Sequence, residues 1–357
     1  MGDKRQNKST LDYSNSPRTL VAIIGLFTPL GCATAIYLIR CGYRVLGLST
    51  RNLDIKRVKQ LLASFPQECI RHLSYRLIIS LTAQGFAEKF KEARYIMYMA
   101  SPLVPSSTPT PDELTKANVK VLPHIIEGAK LTTSIKRIIF VTSITAYFTP
   151  EELGEWDTLY IDQSPQPPHN HHNEPVAFAG NRAFDFLVAD LTNLLDTEAN
   201  FDFVYFMVPD ILGPSPLKMT AAEFHWGSNG KLLDHLLGKG NQRLLGTSVH
   251  IDDAAKCLAR SVFTMTLTAN PYVTEGRYII TGGPANWSNA INIVKRHRPE
   301  LIGSMFATMD VPARVYPCEI NNTESKVVFN HLFKDFEEQV LDTVDFYASL
   351  LKNNPPE

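Results

Sequence analysis

Residues 19–51 read TLVAIIGLFTPLGCATAIYLIRCGYRVLGLSTR, and this stretch decides the fold. Residues 20–24 form a short apolar run rich in β-branched side chains, which is typical of a buried parallel strand. Residues 29–38 then carry apolar side chains at helical spacing, and residues 43–48 form a second apolar strand. The pattern predicts one strand–helix–strand unit, whose first turn is where a dinucleotide would place its pyrophosphate against a helix N-terminus.

The first turn of this unit has glycine at positions 25 and 31 but threonine at position 28. Gly25 permits a tight turn, and Gly31 lets the helix approach the strand closely. The side chain of Thr28 crowds the place where the backbone would come near the phosphates. Together with Leu30, these residues are the candidate cofactor-binding residues of the turn. The alternative is an ordinary turn of any α/β protein.

Arg51 follows the second strand and favours one form of the cofactor. An acidic residue at this place would bind the adenine ribose 2′-hydroxyl, whereas an arginine suits a 2′-phosphate. The sequence therefore favours NADP over NAD if either binds. The alternative is a solvated arginine at the start of a basic helix, since Lys56, Arg57 and Lys59 follow.

The composition argues for an ordinary globular protein of the cytoplasm. The net charge is −1 without a dense basic stripe, which gives nucleic-acid binding no electrostatic support. The longest apolar runs fall far short of the ~20 residues that a membrane span needs. Residues 1–18 are polar, lack the apolar core of a signal peptide and are interpreted as a disordered lead-in. The 5 cysteines are scattered without Cys-x-x-Cys spacing, which predicts free thiols and no zinc site.

Strand and helix patterns alternate along the rest of the chain and predict an α/β fold with a doubly wound parallel, Rossmann-like sheet. We expect a core over residues 19–209 and a smaller substrate-binding part over residues 210–357, with residues 245–285 returning to the core. Residues 210–214 read as a turn. Further strands are predicted at 75–80, 95–99, 138–142, 203–207 and 276–281, and further helices at 54–64, 82–91, 112–130, 176–199, 286–296 and 333–352.

Residues 148–174 form a long irregular insertion that contains His169, His171 and His172. A histidine cluster suggests a metal site. Adjacent histidines without helical or hairpin spacing rarely converge on one ion, so a surface loop is the preferred interpretation and no metal is expected.

The order of several weak motifs resembles that of the extended short-chain dehydrogenases, closest to the dihydroflavonol reductase, cinnamoyl reductase and yeast-type aldehyde/ketone reductase group. The resemblance runs from Leu20 to Leu351 and implies the fold predicted above. The matching motifs are the turn from Gly25 to Gly31, Arg51, Met99-Ala-Ser-Pro102, Asn118, Lys136-Arg137 before Phe140-Val-Thr-Ser143, Val208-Pro209, Leu212-Gly-Pro214, His250-Ile-Asp-Asp253, Glu324-Ser-Lys326, Phe333 and Thr343-Val-Asp-Phe346.

The resemblance implies hydride transfer from a nicotinamide to a ketone or aldehyde. In the family a serine holds the carbonyl oxygen, a tyrosine donates a proton, and a lysine four residues later lowers the tyrosine pKa. Ser143 matches the serine, and the resemblance also places Ala100, Asn181 and Pro209 beside the cofactor. His250, Asp252 and Asp253 are expected to fix a turn and a helix start.

Four positions depart from the family pattern. Thr28 replaces the middle glycine of the turn, and Ser80 replaces an aspartate beside the adenine. Ala177 and Asn181 fall at the tyrosine and lysine positions, and Arg182, beside Asn181, points about 100° off that helix face.

Two functions remain open. The first is an NADP-dependent reductase of a small carbonyl-derived metabolite, with Tyr147, Tyr160 or a histidine of 169–172 as the substitute acid, or with a reactive imine or enone substrate. The second is a non-redox cyclase or isomerase, or a scaffold or ligand-sensing regulator, because this fold also serves as a binding module. We expect a small-molecule ligand and a monomer or homodimer. The aromatic residues Tyr205, Phe206, Phe224 and Trp226 suggest a hydrophobic ligand or, equally, core packing.

Overall fold

The computed structural model is organised around one large parallel sheet. It describes residues 19–49, 55–99, 111–144, 200–217, 219–225, 227–239, 243–263, 276–309, 314–316, 320 and 322–353. Its strands are β1 Leu20–Ile24, β2 Arg44–Ser49, β3 Leu73–Leu77, β4 Ala93–Tyr98, β5 Arg137–Ser143, β6 Asp202–Val208, β7 Asp210–Leu212, β8 Arg243–Leu245, β9 Ser248–His250, β10 Gly276–Ile279 and β11 Arg314–Tyr316. Its α-helices are α1 Pro29–Arg40, α2 Ile55–Leu62, α3 Gln67–Ile70, α4 Ala83–Phe90, α5 Pro111–Lys130, α6 Ala221–Phe224, α7 Gly227–Leu236, α8 Ile251–Phe263, α9 Ala290–His297, α10 Thr323–Phe329 and α11 Phe336–Asn353.

The main sheet has the strand order β10-β6-β5-β4-β1-β2-β3, with every neighbouring pair parallel. The order reverses between β1 and β4, where the chain winds first to one side of β1 and then to the other. Ligands of such sheets bind outside the carboxyl ends of the strands at this reversal. The predicted doubly wound fold is therefore confirmed, and it places the β1–α1 turn at that crevice.

Successive side chains of the strands pack alternately into two separate cores, one on each face of the sheet. On β1, Val21 and Ile23 pack on the face that α1 and α8 cover. Ala22 and Ile24 pack on the opposite face, which α4 and α5 cover. The near-continuous apolar runs of these strands are explained by burial on both faces, because crossover helices cover each side of a parallel sheet.

A smaller part is built on two short parallel pairs, β7 with β9 and β8 with β11. A third core lies here, to which helices α7, α9 and α11 contribute. Trp287 is fully buried at its centre, and its indole N–H donates to the carbonyl of Leu245 at 2.6 Å. Pairing the indole N–H in this way avoids the cost of burying an unbonded polar group.

The structure corrects several predicted elements. Residues 210–214 are not a simple turn, because β7 pairs with β9 and Leu212 lies opposite His250. The strand predicted over 75–80 is β3, which begins and ends earlier, and the helix predicted from 333 begins at Phe336. The short helices α3 and α10 were not predicted. The lead-in, the insertion at 148–174 and the helix at 176–199 lie outside the described residues.

Two further features concern helix length and the cysteines. Within the part of the chain that the structure describes, no helix has the length and apolarity to cross a membrane. Cys32, Cys41, Cys69 and Cys257 are free thiols, as predicted. Burial raises the pKa of the Cys257 thiol to about 12, so this thiol is inert at neutral pH.

Candidate functional site

The turn between β1 and α1 depends on its two glycines. Gly25 has a φ of +102°, a conformation that side-chain-bearing residues rarely adopt. A Cβ atom at position 31 would lie 2.1 Å from the carbonyl oxygen of Gly25. The helix therefore begins as close to the strand end as an amide backbone allows, which agrees with the roles predicted for both glycines.

Thr28 is the N-cap of α1, and its hydroxyl is fully engaged within the turn. The hydroxyl donates to the Gly25 carbonyl at 2.9 Å and accepts from the Gly31 N–H at 3.0 Å. An N-cap hydroxyl of this kind stabilises a helix by about 1 kcal/mol. Thr28 therefore occupies the Gly31 N–H, which is then not available to a ligand in the crevice.

Few amides remain at the start of α1 for an anion. Pro29 is the first helical residue and has no N–H, and Thr28 already holds the N–H of Gly31. Among the described residues, nothing accepts from the Leu30 N–H. The Leu30 side chain is buried in the core, so only its backbone is available to a ligand. The N-terminus of α1 keeps its dipole but offers a phosphate fewer donors than a glycine turn would.

The two other residues of the turn carry large side chains that pack away from the helix start. Leu26 is buried, and a Cβ atom at Gly47 of β2 would lie 2.1 Å from its Cδ2 atom. The ring of Phe27 lies 4.9 Å from that of Tyr75 on β3, between centroids. These contacts anchor the turn to β2 and β3, and no local sequence signal indicates them because they join distant segments.

Two hydroxyl groups lie between β3 and α4. Ser80, where the resemblance expects an aspartate, lies 3.0 Å from Thr82, oxygen to oxygen. Thr82 in turn caps α4 by accepting from the Gly85 N–H at 3.2 Å. The predicted cofactor residues Arg51 and Ala100 lie outside the described residues.

Ser143 is the last residue of β5 and is half-buried at the carboxyl edge of the sheet. It lies opposite Val208, the last residue of β6, and Pro209 follows in a buried position. Ser143 and Pro209 therefore lie close together at the carboxyl edge of the sheet. The turn between β1 and α1 lies at a different place on the same edge. The predicted residues Tyr147 and Asn181 lie outside the described residues.

Asp210 is a polar residue of this edge that the sequence analysis missed. Only 5% of its surface is exposed, and its Oδ1 atom accepts from Ser228 at 2.9 Å and from the Lys231 ammonium at 2.7 Å. Its Oδ2 atom is buried without a hydrogen-bond partner among the described residues. An aspartate directly after an apolar strand and a proline is the signal that could have identified it.

The first turns of α7 hold the end of β7 in place. The Asn229 amide accepts from the Gly213 N–H at 3.1 Å and donates to the Gly213 carbonyl at 2.9 Å. Gly213 has a φ of +123°, and a Cβ atom there would lie 2.6 Å from His250. The segment that carries Asp210 is therefore fixed from both sides.

His250 is fully buried and belongs to a structural network. Its Nδ1 atom accepts from the Asp252 N–H at 3.2 Å, and its Nε2 atom lies 3.2 Å from the Asp342 carboxylate. Burial and then the nearby Lys334 ammonium lower the pKa of His250 below its usual value. The ring is therefore neutral at pH 7 and serves the turn before α8, as the sequence predicted.

Asp253 joins the same network from the first turn of α8. It accepts from His331 at 2.8 Å and from the Lys334 backbone N–H at 2.8 Å. Burial acts to raise the pKa of Asp253, but these hydrogen bonds outweigh burial and leave the pKa below its usual value. The aspartate ties α8 to the segment before α11.

The aromatic residues considered as ligand contacts are core residues where the structure describes them. Tyr205, Phe206 and Phe224 are buried, one in each of the three cores. Core packing therefore accounts for all three, and Trp226 lies outside the described residues.

Comparisons with known proteins agree with this architecture. No family model matches the sequence. The ketoreductase CTB6 of Cercospora beticola is 24% identical over 290 residues, which cover 76% of this chain and 77% of that protein. The ketoreductase sphI of Aspergillus fumigatus is 22% identical over 343 residues, 91% of this chain and 96% of that protein. The crystal structure of yeast methylglyoxal/isovaleraldehyde reductase Gre2 with NADPH superposes with a TM-score of 0.68 at 15% identity, over 94% of this chain and 99% of that chain.

The chain has the fold of an extended short-chain reductase. The resemblance inferred from the order of weak motifs is confirmed at this level, because both the sequence relatives and the structural neighbour are reductases. In this short-chain reductase fold, the Ser143 region and the glycine turn lie at the crevice where ligands of parallel sheets bind.

Proposed function

We propose that this protein is an NADP-dependent reductase of a small, mainly hydrophobic carbonyl compound of secondary metabolism, with altered acid–base chemistry. The observation that carries the proposal is the similarity to ketoreductases over most of both chains. The position of Ser143 at the carboxyl end of β5 supports it, because ligands of parallel sheets bind outside this edge.

Ser143 is proposed to hold the substrate carbonyl. Its hydroxyl donates a hydrogen bond to the carbonyl oxygen, which polarises the bond and stabilises the negative charge that develops on oxygen during reduction. β5 and β6 pair along their full length up to Ser143 and Val208, so the hydroxyl is placed by a rigid element.

The residues present fit a nicotinamide dinucleotide with a reduced set of phosphate contacts. The Leu30 N–H and the dipole of α1 would face the pyrophosphate, and the positive φ of Gly25 keeps the turn tight. Arg51 would pair with a 2′-phosphate. When bound, the cofactor supplies the hydride.

The proton donor is the altered part of the proposed site. In these 357 residues no tyrosine is followed by lysine four positions later, so the tyrosine–lysine pair of the resemblance is missing. We propose Tyr147 as the acid, because it lies four residues after Ser143, about one helical turn along the chain. Tyr160 and the histidines of 169–172 remain alternative donors.

A second candidate function is a non-redox one, in which the same crevice catalyses a cyclisation or isomerisation or senses a ligand. The specific observation in its favour is at the start of α1, where Pro29 lacks an N–H and Thr28 occupies that of Gly31. A protein that no longer uses the cofactor has no need to keep those amides available for phosphate.

Calorimetric titration with NADPH and NADH separates the two candidates. A reductase binds NADPH more tightly than NADH, and Arg51→Ala weakens NADPH about tenfold through loss of the charged contact to the 2′-phosphate. Arg44→Ala is the matched control, because Arg44 begins β2 at the opposite edge of the sheet and pairs with exposed Glu92. This control leaves NADPH affinity unchanged.

A screen of ketones and aldehydes completes the test by following the loss of reduced-nicotinamide absorbance. Turnover in the wild-type protein that Ser143→Ala reduces by about a hundredfold supports the proposed role of the serine. No binding of either nucleotide rules out hydride transfer and leaves the non-redox candidate.

A further inference from the structure

The buried carboxylate of Asp210 has one oxygen that the protein does not use. Its Oδ1 atom accepts two hydrogen bonds, from Ser228 and Lys231, whereas Oδ2 is buried without a partner among the described residues. A buried, unbonded acceptor on a charged group costs about 1–3 kcal/mol or more. In native proteins such a group marks a functional role or the place of an ordered water or ion.

The position of Asp210 relates this oxygen to the proposed reaction site. Even-numbered side chains of β6 share one face, and Val208 of that face lies opposite Ser143. Pro209 separates β6 from Asp210, the first residue of β7. Neighbouring strands lie about 4.8 Å apart and two residues span at most about 7 Å, so the Cα atoms of Asp210 and Ser143 lie within about 12 Å of each other. A small molecule with one ring is long enough to contact both side chains across such a span.

The carboxylate is held too firmly to turn toward another group. Lys231 and Ser228 fix Oδ1 from α7, and the Asn229 amide ties the same helix to Gly213 at the end of β7. The direction of Oδ2 is therefore set by the fold before any ligand arrives, which is the condition for a specific polar contact.

We propose that Asp210 is a specificity-determining residue of the substrate site, and that its Oδ2 atom accepts a hydrogen bond from a hydroxyl on the carbonyl substrate. The substrate class is then a ketone with a hydroxyl about one ring away from the carbonyl. This assignment rests on the proposed reductase function, because Ser143 marks the carbonyl end of the ligand.

The test compares 4-hydroxyacetophenone with 4-methylacetophenone, which have nearly the same shape but differ in the hydrogen-bond donor. Dissociation constants are measured by ligand-observed NMR, with and without NADPH. The wild-type protein binds the hydroxyl compound about tenfold more tightly than the methyl compound, which is the effect of one hydrogen bond to a charged acceptor.

Two variants test whether the Oδ2 atom of Asp210 causes the tighter binding of the hydroxyl compound. In Asp210→Asn the amide oxygen still accepts from Ser228 and Lys231, and an NH₂ donor replaces Oδ2, so the preference falls to less than about threefold. In Ser228→Ala, the matched control, Oδ2 is unchanged and the preference stays. Circular dichroism spectra verify that both variants are folded.

The outcomes are distinct. Equal binding of both compounds to the wild-type protein, a preference that survives in Asp210→Asn, or no binding of either compound each overturns the assignment. Failure of NADPH to bind overturns the proposed reductase instead, because the hydroxyl preference is also measured without the cofactor.

Discussion

Strand β6 begins with Asp202, and Asp210 lies two residues after its end. The two carboxylates differ in how many of their oxygen atoms are hydrogen-bonded. At the amino edge, Asp202 accepts from buried Arg137 through both oxygens, at 2.6 Å each. At the carboxyl edge, Asp210 shares one oxygen with Lys231 and Ser228 and leaves the other unbonded. The first pair joins β5 to β6, and the second leaves an acceptor at the edge where ligands of parallel sheets bind.

The amino-edge pair is expected to carry the larger share of stability. Arg137 also donates to the Ser261 carbonyl of α8 at 2.8 Å, so it joins β5, β6 and a covering helix. Arg137→Met removes the only group that bonds both Asp202 oxygens within the described residues, and it lowers the free energy of unfolding by about 3 kcal/mol. Urea unfolding followed by circular dichroism measures this loss.

Arg44→Met is the control for that measurement. The pair of Arg44 with Glu92 is exposed on both sides and contributes little to stability. If Arg137→Met loses no more stability than Arg44→Met, the pair of Arg137 with Asp202 does not stabilise the sheet.

The turn between β1 and α1 allows a second test. There Thr28 accepts from the Gly31 N–H, a donor that could otherwise bind a phosphate. Thr28→Gly frees the Gly31 N–H and removes the side chain, so NADPH binding tightens about fivefold, while the lost cap costs only a few tenths of a kcal/mol. Calorimetry measures the affinity.

Thr220→Gly provides the matched control for Thr28→Gly. Thr220 caps α6 by accepting from the Glu223 N–H at 3.2 Å, in the smaller part of the molecule. NADPH affinity is unchanged in this variant. Equal effects of the two substitutions, or weaker binding in Thr28→Gly, would contradict the account of the turn.

The two aspartates can also be compared by the loss of stability that an asparagine causes at each position. In Asp210→Asn the asparagine keeps an oxygen toward Ser228 and Lys231, and the lysine is partly exposed to water. The expected loss is therefore under about 1 kcal/mol, against about 3 kcal/mol for Asp202→Asn, which removes the carboxylate that two donors of the buried Arg137 bind. Equal losses in urea unfolding would refute the distinction between the two edges.

The smallest expected effect is the pH dependence that His250 adds. Its pKa is lower in the folded protein than the usual value of about 6.5, so the unfolded chain takes up the proton first as the pH falls. The stability contribution of the neutral ring is present above about pH 6.5 and is lost as the pH falls toward the lower folded pKa.

His250→Asn removes this titration, because the amide oxygen can still accept from the Asp252 N–H. The free energy of unfolding, measured between about pH 8 and pH 5, then changes less steeply than in the wild-type protein. An unchanged slope would show that His250 is not the titrating group.

The sequence predicted the features that local patterns encode. The apolar periods of residues 20–48 predicted β1, α1 and β2, and the position of Ser143 at a strand end followed from the run that precedes it. The contacts between distant segments could not be predicted in this way. Arg137 looks like an exposed charge before a strand, and only Asp202, 65 residues later, explains its burial.

The same limit applies to the candidate site. Residues 210–214 carry the composition of a turn, and their strand pairing depends on β9, whose sequence is not adjacent. Nothing near Gly47 indicates that Leu26 covers it. The unbonded oxygen of Asp210 depends on where α7 places Ser228 and Lys231, which sequence spacing alone does not determine.

The last described helix, α11, has a consequence for how the chain is made in the cell. Phe336 packs edge-on against Trp287, and the Gln339 side chain accepts from the Ser248 hydroxyl at 2.7 Å. During translation every strand of the main sheet leaves the ribosome before α11 does. Until synthesis reaches this helix, the nascent chain therefore lacks the cover that Phe336 gives to Trp287 and the partner of the Ser248 hydroxyl, and uncovered apolar surface of this kind is what chaperones bind.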